Sequence, residues 1–144
     1  MYNLGVPITV RVDDYVPTFN SYTRTLFSQM HNKSVWVGVL EKGFAKINGN
    51  YSSLVGGWSE QAVGKILGTP LMRFRITSTT TSASTFAFVD SAGESDIMAG
   101  NTKTGAAYGM VSNHAYSIIN SYTVRLNNGA TVNLIKLRNP YGSD

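Results

Sequence analysis

Cysteine is missing from all 144 residues. The chain therefore offers no disulfide, no thiolate-bound zinc and no thiol nucleophile of its own. Histidine is almost as scarce: His31 and His114 are the only 2, too few for an all-protein transition-metal centre. Ionisable Asp, Glu, Lys and Arg make up 14% of the residues, and no run approaches the roughly 18 consecutive apolar residues of a membrane span. The opening Met1–Pro7 lacks the basic and apolar regions of a secretory leader. The expected setting is cytoplasmic, with no membrane span.

What is present is ordinary globular material. Hydrophobic residues reach 42% and aromatics 11%, with a mean hydropathy of −0.07, which excludes a highly charged disordered tail. A net charge of +4 invites a nucleic-acid partner, but the 12 basic residues are scattered from Arg11 to Arg138 without forming a stripe. The local pairs Arg73/Arg75 and Lys136/Arg138 are spaced to share one wet strand face. Nucleic acid is therefore not the expected partner.

Alternation in Ile8–Val12 predicts a strand running into a turn at Asp13-Asp14, whose carboxylates read as solvated turn residues with cation binding as the alternative. From Ser34 the period becomes helical: Trp36, Leu40, Gly43, Phe44 and Ile47 share a face, with Ser34 as cap and Asn48-Gly49 as stop. A second helix is expected from Ser59 to Leu67, ended by Gly68-Thr69-Pro70. Leu71–Ile76 alternates as a strand, and the hydroxyl run Thr77–Thr85 reads as a surface loop or a strand extension. The last third predicts short strands at Tyr116–Ile119, Tyr122–Leu126 and Thr131–Leu137, the final two joined by an Asn127-Asn128-Gly129 turn. Early helices and late strands indicate an α+β chain.

One pair could carry chemistry. His114 opens a strand-like segment, and Asn139 ends the last strand on the parity of Ile135 and Leu137, the face expected to be buried. An Asn that accepts a hydrogen bond from one ring nitrogen fixes the tautomer and aims the other nitrogen at a nucleophile. The bland alternative is a core histidine with a turn asparagine.

The wording around this pair resembles the calpain family of cysteine proteases. His114-Ala115-Tyr116-Ser117 and Leu137-Arg138-Asn139-Pro140-Tyr141-Gly142 are similar to that family's His and Asn motifs. The resemblance extends, in family order, to Val12–Pro17, to Val35-Trp36 and Leu40–Gly49, and to Tyr51–Gly57. It implies a partial papain-like cysteine protease core: residues 1–68 as the later part of the Cys-side subdomain, residues 69–144 as a truncated His/Asn-side subdomain. His114 would then be the general base, Asn139 its orienter and Tyr141 a shielding aromatic where the family usually has Trp. Gly57 would bind an extended polypeptide substrate through its backbone.

The departures from the family matter too. The resemblance implies a nucleophilic Cys upstream of these motifs, on the same or another chain, so this chain is expected to be inactive alone. Loss of that segment should uncover apolar surface around Trp36, Leu40 and Phe44. Calpains use calcium, but Ser34 stands where the family has an acidic ligand, so calcium is not supported here. Asn113 replaces the usual Gly before the His, and segment 70–96 lacks an evident helix. The leading reading is part of a calpain-like endopeptidase. The alternatives are an inactive, peptide-binding relative and an unrelated binding module.

Overall fold

The computed structural model describes residues 1–19, 25–28, 34–93 and 96–140. Tyr141, assigned the shielding role above, lies outside them, as does His31. Contacts divide the chain into two units, Met1–Leu71 and Met72–Asp144, and each is described by itself.

The first unit begins with a small antiparallel hairpin, β1 (Tyr2–Asn3) and β2 (Val6–Pro7). Helix α1 (Trp36–Ile47) follows, as the periodicity predicts. Its cap position is Val35 and makes no side-chain bond, so Ser34 is not the cap. At the other end, Asn48 sends its Nδ2 back to the Phe44 carbonyl at 2.7 Å. A 3-10 turn (Tyr51–Leu54), capped by Asn50 Oδ1 accepting from the Ser53 N–H at 3.0 Å, leads to α2 (Ser59–Leu67).

Ile8–Val12 is not a strand. Ile8 still exchanges backbone bonds with Met1 at 2.8 and 3.2 Å, but a strand needs a continuing partner ladder, and beyond it the segment meets α1. Val10 lies against Gly43, and the Arg11 carbonyl accepts from Lys46 Nζ at 2.8 Å. One turn earlier on α1, Lys42 binds the Asp13 carboxylate and the Tyr15 carbonyl. The cation at Asp13 is therefore the chain's own ammonium. Glu41 on the same helix accepts from the Ser28 N–H and Oγ at 3.1 and 2.6 Å. Helix α1 thus organises its unit through polar side chains more than through bulk. Gly38, Gly43 and Ala45 are its buried residues, while Trp36 is 65% exposed.

Residues 71–76, which run from the end of the first unit into the second, form no strand, so this expected strand is also absent. Phe74 instead stacks on Phe88, ring centroids 4.5 Å apart. The hydroxyl run does not form a loop throughout: α3 (Ser82–Asp90) starts inside it. Thr81 Oγ1 accepts the Ser84 N–H at 3.0 Å while Ser84 Oγ accepts the Thr81 N–H at 3.1 Å, a reciprocal capping box. Segment 70–96 therefore does contain a helix.

The sheet has the order β3 (Met98–Asn101), β4 (Ala115–Arg125), β5 (Thr131–Arg138), antiparallel throughout. β3 was not foreseen, and the two short strands expected over 116–126 are one long β4. Helix α3 packs on β4 and β5, with Ser121 Oγ donating to Asp90 Oδ1 at 2.7 Å. The β4–β5 turn forms as expected, with Gly129 alone of its three residues at positive φ (86°). Among the described residues the buried hydrophobic side chains are Ala45, Val89 and Tyr116. The architecture is α+β, helices early and an antiparallel half late.

Two outcomes test this packing. Gly68 ends α2 at φ 69°, and a Cβ there would meet the Tyr2 ring at 2.6 Å. Gly68→Ala is expected to cost about 1–3 kcal/mol in denaturant unfolding, from overpacking and left-handed strain together. The Lys42 hydrogen bond, helped by the Tyr15 N–H, holds the exposed Asp13 carboxyl below its ordinary 3.8. A depressed carboxylate stabilises the fold above its unfolded value, and that contribution fades as pH falls through the folded value. Lys42→Met should return Asp13 toward 3.8 in a carboxyl NMR titration.

Candidate active site

Residues 114 and 139 meet because β4 and β5 are neighbours. From the turn inward the register runs Arg125↔Thr131 to Asn120↔Lys136, then shifts at a bulge to Ile118↔Leu137 and Ser117↔Arg138. Ile119 is the extra residue. Without it Arg138 would face Ile118, and the site end of the hairpin would slip by one residue, reversing which face its side chains occupy. With it, Tyr116 and Asn139 are both buried. Ile135, on the parity of Asn139, is half-buried, whereas Leu137 is exposed, so the expectation of a buried Leu137 fails.

His114 Nε2 lies 3.0 Å from Asn139 Oδ1. A carbonyl oxygen only accepts, so Nε2 carries the proton and the neutral ring's lone pair resides on Nδ1. The Tyr116 ring meets the imidazole edge-on, centroids 5.0 Å apart at 89°. Positions i and i+2 of one strand share a face, and that parity could have flagged Tyr116 from the sequence. Asn113, just before the histidine, sits at φ 52°. Asn is among the few non-glycine residues that enter this region readily, which explains how it serves where the family has Gly.

Gly57 belongs to the other unit, Met1–Leu71. It sits at φ 132°, and a Cβ built there meets nothing within 4 Å. The backbone conformation, rather than crowding within the chain, demands glycine at this position.

The model of the calpain family cysteine proteases matches residues 1–144. The chain belongs to the calpain family. Calpain-9 of Mus musculus is 28% identical over 144 residues, covering 94% of this chain and 20% of its own length. Calpain-A of Drosophila melanogaster is 26% identical over 154 residues, covering 99% of this chain and 18% of its own. Calpain clp-4 of Caenorhabditis elegans is 28% identical over 150 residues, covering 99% and 21%. The chain thus spans about a fifth of the length of these calpains.

Calcium takes six to eight oxygen ligands, typically including carboxylates. Among the described residues of this calpain-family chain no three His, Cys, Asp or Glu gather, and Ser34 cannot supply a carboxylate. No described helix is long and apolar enough to cross a membrane.

Asn139→Ala should release the imidazole from a single tautomer. In two-bond 1H–15N spectra, the distinct Nε2 and Nδ1 signals of His114 are expected to move toward those of a free ring. An unchanged spectrum would mean that Asn139 does not orient it.

Proposed function

We propose that this chain supplies the base half of a calpain-type cysteine endopeptidase, His114 acting as general base and Asn139 orienting it. The Nε2–Oδ1 contact of 3.0 Å carries the reading. The nucleophile would be a Cys outside these 144 residues, on the same or another polypeptide. Its thiol proton passes to Nδ1, and the thiolate adds to the substrate carbonyl. The imidazolium then returns the proton to the departing amine, and water, deprotonated by the same ring, cleaves the acyl-enzyme. Asn serves better than a carboxylate here, because it orients the imidazolium without competing with the thiolate for its charge.

In this reading Gly57 binds the backbone of an extended polypeptide, and Tyr141 shields the His–Asn bond from water. Residues 1–68 and 69–144 are the Cys-side and His/Asn-side subdomains, and the protein works in the cytoplasm. The open space over Gly57 supports its role, since an approaching strand needs an uncrowded backbone. The cysteine-free composition favours one second reading, an inactive relative that binds peptides without cleaving them.

In a polypeptide that joins these residues to the Cys-bearing segment, His114→Ala should lower kcat by roughly 10²–10⁴-fold. Asn139→Ala should cost less, because it loosens the base without removing it. Gly57→Asp should raise KM. Full turnover by His114→Ala would exclude the base assignment. Capture of peptide with no cleavage by the parent would select the second reading.

A further inference from the structure

The segment joining β3 to β4 ends by delivering His114, and Thr102 stands opposite it. The ladder pairs Asn101 with Ala115, so 102 and 114 are the next pair. In a regular antiparallel ladder such a pair exchanges two backbone hydrogen bonds. Here only one is made: the Thr102 N–H donates to the His114 carbonyl at 2.8 Å. The His114 N–H donates instead to Thr102 Oγ1 at 3.0 Å. A side-chain hydroxyl has replaced the carbonyl at the point where the ladder stops.

That hydroxyl also holds the returning chain. Its single proton has the Val111 carbonyl at 2.6 Å and the His114 carbonyl at 3.1 Å as acceptors, and the shorter contact is the stronger claim. The Val111 N–H donates to the Tyr116 hydroxyl at 2.8 Å. Between these anchors lies Asn113 at φ 52°. Thr104, farther round the loop, reaches the Asn113 side chain at 3.1 Å but makes no described contact with the histidine.

We propose that Thr102 is a positioning residue for His114: its hydroxyl sets the backbone from which the imidazole reaches Asn139. This rests on the reading of His114 as the base, where a displacement of about 1 Å is enough to cost roughly 10²-fold in rate. Valine matches threonine in shape but cannot accept the His114 N–H. Serine can.

The test uses the full chain, 15N-labelled, in which His31 is the only other histidine. Two-bond 1H–15N spectra read the His114 tautomer, and backbone amide spectra report folding. Thr102→Val is expected to lose the single-tautomer signature, as Asn139→Ala does, whereas Thr102→Ser and the loop control Thr104→Val retain it. A folded Thr102→Val with the wild-type signature would overturn the proposal, and so would an equal loss in Thr104→Val. If Thr102→Val does not fold, Thr102→Ser decides: a retained signature supports the hydroxyl, and a lost one overturns it. Failure of the base reading is distinguishable, because the wild-type ring would then be indifferent to Asn139→Ala; that result overturns both.

Discussion

Everything the candidate site can do depends on the register of β4 against β5. The Asn127–Gly129 turn sets the pairing at one end, and the Ile119 bulge changes it by one residue before the strands reach the site. Side chains alternate with a period of two along a strand, so that single residue decides which way the site-end side chains point. The observed count brings the imidazole within hydrogen-bond distance of an asparagine 25 positions away. Tyr116, two residues on from His114, then packs its ring against the same imidazole.

The surrounding structure achieves order with little buried hydrocarbon. In the first unit, Lys42, Lys46 and Glu41 on consecutive turns of α1 fasten the segments around 11–15 and 28 by charge-assisted bonds. In the second, Thr81 and Ser84 start a helix, and Thr102 ends a ladder. Small polar residues thus perform tasks that larger cores assign to packing. Their bonds are directional, so they fix the position of an imidazole more sharply than non-directional apolar contact does.

The sequence was legible where local rules and tertiary context agree. Helix α1 follows from its period and its Asn48-Gly49 end, and α2 from Gly68. The β4–β5 hairpin follows from its turn. The strands expected at 8–12 and 71–76 failed for one reason: alternation describes a face but does not supply a partner. Helix α3 was hidden because Thr and Ser read as poor helix formers, although the Thr81/Ser84 spacing is itself a start signal. Of the site, His114 and Asn139 were visible through their motifs, and Asn113 through its departure from Gly. Thr102 was not, because nothing in local sequence marks a hydroxyl that replaces a ladder carbonyl 12 residues away.

The roles proposed for His114 and Asn139 require a cysteine outside these 144 residues. The most direct measurement is labelling of the natural polypeptide carrying this sequence with a thiol-directed peptidyl probe, followed by mapping of the modified residue. Stoichiometric labelling at a Cys outside residues 1–144, lost or greatly slowed by His114→Ala, is the expected result. Labelling that proceeds equally well without the His114 imidazole, or a polypeptide with no cysteine to label, would contradict those roles.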